Sequence, residues 1–154
     1  MQSKPSGESI VFISRKDKKA YKKKNPYAKT PMKGCIEPED AIYEHLVHNL
    51  LFSESRYAFE GISDEDGDVR IILSQDFVES VSQPNRDQIV KAMALRGLKP
   101  EGKYSFGNDL VSVTDVIGDN VLVGKDNKLF FIDPIICFKK PVREVLAALV
   151  GNSW

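Results

Sequence analysis

Residues 113–134 read VTDVIGDNVLVGKDNKLFFIDP, and the order of apolar and polar positions in this stretch decides how the rest of the chain is read. Two short, mostly apolar segments, 120–123 and 128–132, flank the tetrapeptide GKDN at 124–127. Gly and Asn tolerate the positive φ that a tight hairpin turn demands, so the spacing predicts two paired strands. Asp115 and Asn120 form a D-x-x-x-x-N pair in the loop before the hairpin, and Asp133 ends its second strand. The hairpin therefore returns Asp133 to its open end, beside Asn120. Phosphoryl transfer needs such a set: a carboxylate near the attacking hydroxyl, then an amide oxygen and a second carboxylate to hold Mg²⁺ against phosphates. Mg²⁺ prefers these hard oxygen donors and keeps several of its waters. The same three side chains also suit turn and strand-end positions bonded to backbone.

Working outward, the remaining segments predict an α+β domain. Strands are expected at 8–14 (ESIVFIS), 19–23, 57–62 and 69–74, the last two joined by the acidic turn DEDGD. A helix is expected over 38–52, PEDAIYEHLVHNLLF, with acids in its first turn and Ile42, Leu46 and Leu50 on the face turned to the core. A second helix is expected over 84–95, stopped by Gly97, and a third over 141–150 with Pro141 near its start. Short strands at 104–106 and 110–113 complete the reading. Antiparallel strands with helices set to one side make the class α+β.

Composition bounds the function. Twenty-two basic and 22 acidic side chains give a formal net charge of zero, which argues against a dedicated nucleic-acid binder. Lys16, Lys18, Lys19, Lys22, Lys23 and Lys24 crowd one stretch, and Asp64, Glu65, Asp66 and Asp68 another. Charge runs of this kind ordinarily form solvated edges. No apolar run approaches the roughly 20 residues of a membrane span, so no membrane partner is expected. No signal peptide is visible, and Cys35 and Cys137 show no ligand spacing. A cytoplasmic location with both cysteines as thiols is the expectation. His45 and His48 are three apart with no third ligand in view, which gives no zinc site.

The 113–134 segment resembles the catalytic loop and metal strand of protein kinases. Its Ile-Asp-Pro ending is similar to aminoglycoside and choline kinases. With HNLLF at 48–52 and LSQDFV at 73–78, the chain most resembles the kinase-like domain of polyvalent proteins in phages and conjugative elements, over roughly residues 8–137. The resemblance implies a minimal protein-kinase-like fold. After a loose arm at 1–7, an N-lobe of antiparallel sheet and one long helix would occupy 8–78. A reduced C-lobe with the catalytic loop and metal hairpin would occupy 79–154.

The same resemblance implies roles. Ala20-Tyr21-Lys22 matches the A-x-K of the third kinase strand, which makes Lys22 the phosphate clamp and Glu44 its acidic partner, with Glu39 the reserve. Gln75, Asp76, Phe77 and Val78 would form the hinge that meets adenine. Asp115 would be the base or substrate-orienting group, and Asn120 and Asp133 the metal ligands. ATP and Mg²⁺ are the implied cofactors, with an unidentified phosphoryl acceptor or a partner protein. The chain departs from the pattern in carrying Val113-Thr114 before Asp115 instead of His-Arg, and Pro134-Ile135 after Asp133 instead of Phe-Gly. Two functions follow: a minimal phosphotransferase, or a degenerate kinase fold that serves as an interaction module without catalysis.

Overall fold

The computed structural model describes residues 4–5, 9–25 and 38–151. They divide into two compact units, one built from the residues up to Asn49 together with Arg56–Phe77, the other from Leu50–Ser55 and Val78 onward.

The first unit is an antiparallel sheet with a helix. Strands β1 (Lys4–Pro5), β2 (Ser9–Ser14), β3 (Lys19–Lys24), β4 (Tyr57–Glu65) and β5 (Asp68–Asp76) pair in the order β1-β2-β3-β5-β4. Lys4 and Pro5 pair with Val11 and Ile10, which corrects the expectation of a loose arm over 1–7 at those two residues. The edge of β2 offers backbone donors and acceptors that an extended segment can satisfy. Glu65 stands opposite Asp68 across the two-residue turn Asp66-Gly67, both at positive φ (54° and 81°). That is the primed turn whose twist matches a hairpin, and Asp-Gly is a preferred sequence for it.

Helix α1 (Pro38–Leu51) covers one face of this sheet, but not with the expected stripe. Ile42, Leu46 and Leu50 are 42%, 41% and 41% exposed. The buried positions are Glu44, His45, Val47, His48 and Leu51. His45 stacks on Phe59 of β4, and the Asn49 amide brackets Tyr57, donating to its carbonyl at 2.8 Å and accepting its N–H at 2.7 Å. Of the expected apolar face, with Tyr43 and Val47 at its sides, Val47 is buried, and polar residues take the places of Ile42, Leu46 and Leu50, for a physical reason. Buried polar groups are tolerated where partners satisfy them, and the sheet supplies partners to this helix.

The second unit carries helices α2 (Arg86–Ala94) and α3 (Val142–Gly151) and two antiparallel sheets. One sheet pairs β6 (Lys99–Gly102), β7 (Ser105–Gly107), β8 (Val111–Thr114) and β11 (Ile135–Phe138) in the order β11-β8-β7-β6. The other pairs β9 (Val121–Val123) with β10 (Leu129–Phe131). Asn85 caps α2 through a reciprocal box, its side chain accepting from the Gln88 N–H and its own N–H bonding the Gln88 side chain, both at 2.9 Å. Gly97, at φ 72°, ends the helix as expected. Phe52, Met93, Leu98, Phe106, Val113 and Phe131 are among the fully buried side chains of this unit. Among the described residues no helix is long and apolar enough to cross a membrane.

Candidate functional site

In the first unit the candidate Lys22 lies on β3. Its neighbours in sequence, Lys23 and Lys24, are half-buried, whereas Lys22 is 3% exposed. Alternation separates it from Lys23: Lys22 stands opposite Val11 of β2 and Leu73 of β5, on the face that α1 covers, which Lys24 shares toward the end of β3. Its Nζ donates to the Tyr57 hydroxyl at 2.6 Å and lies 4.8 Å from the centre of that ring. A buried ammonium is costly unless bonded, and the Tyr57 hydroxyl supplies a bond here. Glu44 is buried too, and its carboxylate faces the Lys24 ammonium at 3.7 Å. His48 is 2% exposed, with its ring 4.6 Å from that of Tyr57. Lysine, glutamate, tyrosine and two histidines thus form the polar lining between α1 and the sheet.

His45 of this lining has a perturbed environment. Its Nδ1 is buried without a hydrogen-bond partner among the described residues. Burial, reinforced by the charge of Lys24, holds the imidazole below its ordinary value of 6.5, against the opposing pulls of the Ile42 backbone and the Glu44 carboxylate. The unfolded chain therefore takes up a proton near pH 6.5 that the folded chain resists, and stability falls as pH drops below that value. Thermal melts from pH 7.5 to 5.5 should show the loss, and His45→Phe should flatten it. Equal slopes in the parent and the variant would count against this assignment.

The connector residues are split. Gln75 and Asp76 close β5, paired with Ala20 and Lys19 of β3, and Gln75 is fully buried. Of the expected hinge 75–78, the first two residues thus lie within the β3–β5 ladder. Phe77 follows, its N–H bonded to the Lys18 carbonyl at 2.9 Å, and Val78 opens the second unit.

In the second unit Asp115 follows β8 directly and adopts a left-handed backbone, φ 58°. Such a conformation is uncommon outside glycine and is held here by Asn120. The Asn120 amide nitrogen donates to the Asp115 carbonyl at 2.9 Å and to its carboxylate at 2.8 Å. Both bonds use Nδ2, which fixes the orientation of the amide and turns Oδ1 away from Asp115. The Ile132 N–H bonds the Asn120 carbonyl at 2.8 Å, so the hairpin brings the residue before Asp133 against Asn120. Gly124 accepts from Asn127 and donates to Lys128, closing the GKDN turn as expected. Asp133 is exposed. Among the described residues, no three His, Cys, Asp or Glu side chains form a metal cluster. An amide oxygen of fixed orientation and an exposed carboxylate are nevertheless donors of the kind Mg²⁺ takes, alongside waters and phosphates.

Sequence reasoning missed the support of this hairpin. Arg96, after α2, donates to the carbonyls of Leu51 and Ala92, each at 2.7 Å, and to the Glu54 carboxylate at 2.5 Å. Its guanidinium lies over the rings of Phe52 and Phe131, at 5.2 and 5.1 Å. Ser55 donates to the Phe131 carbonyl at 2.7 Å. Segment 51–55 and α2 thus grip β10 two residues before Asp133.

A lysine buried on an inner strand under a helix, with a D-x-x-x-x-N loop leading to an apolar strand followed two residues on by aspartate, is the pattern of a kinase-like domain. Kinase-PolyVal, described as the Serine/Threonine/Tyrosine Kinase found in polyvalent proteins, matches residues 1–140, and the chain belongs to that family. No curated protein and no solved structure matches it.

Proposed function

We propose that the chain is an ATP- and Mg²⁺-binding kinase-like domain and a minimal phosphotransferase. The observation that carries this reading is the burial of Lys22 as a bonded ammonium on an inner strand. A surface lysine run has no reason to send one member inward, whereas a phosphate site needs a cation held in place before the ligand arrives. Lys22 is the phosphate clamp, with Glu44 the acid on the helix above it. Phe77 and Val78, with the end of β5, contribute backbone to the adenine. Asp115, fixed by Asn120, orients the hydroxyl that attacks. Asn120 Oδ1 and the Asp133 carboxylate would hold Mg²⁺, which when bound neutralises charge on the phosphates. The chain acts in the cytoplasm on an acceptor still to be identified.

The test is a thermal melt with and without ATP and Mg²⁺. Ligand at ten times its dissociation constant should add about 1.4 kcal/mol of stability, a rise of a few degrees in the midpoint. The rise should vanish in Lys22→Met. A melt that ignores millimolar nucleotide would leave the interaction module as the function of this fold.

A further inference from the structure

The reading above gives Lys22 a task, and a flexible four-carbon side chain performs it only if something fixes the ammonium. We propose that the Tyr57 hydroxyl is the positioning group for Lys22, and that α1 sets it through Asn49 and His48. This rests on the assignment of Lys22 to phosphate.

Geometry singles out Tyr57. It opens β4 opposite Gln75, while Lys22 lies on β3 opposite Leu73, so β5 separates the two residues. Strands are about 4.8 Å apart, and two spacings put the backbones near 10 Å from one another. Both long side chains must therefore lean over β5 to make the 2.6 Å bond that joins them. The tyrosine is itself immobilised. Asn49 holds its backbone from both sides, and the His48 ring packs at 4.6 Å against its ring, tilted by 48°. The phenol is buried, 8% exposed, so its oxygen is shielded from competing water.

The chemistry suits the task. A phenol oxygen accepts from an ammonium without neutralising it, and the ring face adds attraction for the cation. Tyr57 thus fixes the direction of the ammonium, and any shift of α1 that moves Asn49 is passed to Lys22 through this ring.

Tyr57→Phe removes the hydroxyl and retains the ring contacts. The first readout needs no nucleotide: the side-chain ammonium signal of Lys22 in ¹H–¹⁵N spectra, assigned by its loss in Lys22→Met. A held ammonium exchanges slowly and gives a resolved signal, which should disappear or shift in Tyr57→Phe. The second readout is the dissociation constant for ATP with Mg²⁺, which should rise about ten-fold, the weight of one charge-assisted hydrogen bond. Tyr104→Phe, which removes an exposed hydroxyl of the second unit, should change neither. An unchanged Lys22 signal in Tyr57→Phe overturns the proposal. A changed signal with unchanged ATP affinity overturns the positioning role. A chain whose Lys22 signal responds to Tyr57→Phe while the parent binds no ATP refutes the phosphate assignment and leaves only the contact.

Discussion

Replacing Arg96 by methionine should lower the stability of the second unit by about 3–5 kcal/mol, the cost of removing one partner of a buried ion pair. Glu54 is the reason. Its side chain is 7% exposed and faces the guanidinium at 2.5 Å, so the variant leaves a carboxylate inside without its cation. Two backbone carbonyls, of Leu51 and Ala92, lose donors in the same step. At about 2–4 °C per kcal/mol for a chain near this size, the midpoint followed by circular dichroism should fall by about 10 °C. Arg96→Lys should recover little, because one ammonium cannot reproduce a planar fork that serves three acceptors and stacks on two rings. The double variant Arg96→Met with Glu54→Leu should regain most of the loss, since an apolar pair of similar volume often replaces a buried ion pair without penalty. A single variant that melts within 2 °C of the parent would show that the cage around Phe52 and Phe131 is held by packing alone.

What the sequence disclosed, and what it hid, follows from where the determining partners lie. The GKDN hairpin, the Asp66-Gly67 turn and the helix stopped by Gly97 were legible because each is set by residues within a few positions of one another. Strands β6 and β11 were not read. Lys99–Gly102 is KPEG, with proline and glycine and no apolar side chain, and it is a strand because β7 pairs with it. Ile135–Phe138 is a continuous apolar run whose partner, β8, lies more than 20 positions earlier. Arg96 carried no local signal at all, since Glu54 is 42 residues away and Leu51 is 45. Helix α1 is the instructive case. Its apolar period pointed to Ile42, Leu46 and Leu50, while the structure buries Glu44, His45 and His48. Local pattern and fold disagree where polar groups have been kept inside, which is where a functional site is expected. Lys22 illustrates the same point. In the charge pattern it is one of a run, and only its place on the inward face of β3 separates it from Lys23.

Asp133→Ala should separate function from stability in the opposite sense to Arg96→Met. Asp133 is exposed, and a surface substitution ordinarily changes stability by no more than about 0.5 kcal/mol. The unliganded melt should therefore move by about 1–2 °C at most. The Mg²⁺-dependent part of ATP binding should fall far more, by about ten-fold or beyond, because a carboxylate is the strongest donor available to the cation there. Nucleotide binding without metal, assigned to Lys22 in the proposed function, should survive. Asn120→Asp supplies the complementary case. It replaces a donor by a second carboxylate against Asp115, so the two bonds that hold Asp115 in its left-handed conformation become a repulsion. That variant gains a metal-seeking charge and loses the geometry that holds the Asp115 carboxylate, the group proposed to face the hydroxyl. Measured by titration of ATP at fixed and at zero Mg²⁺, Asp133→Ala should lose metal dependence. Asn120→Asp should bind metal yet transfer no phosphate to water or to any acceptor tried. Retention of the full Mg²⁺ effect in Asp133→Ala would remove this residue from the site and, with it, the assignment of the hairpin as a metal strand.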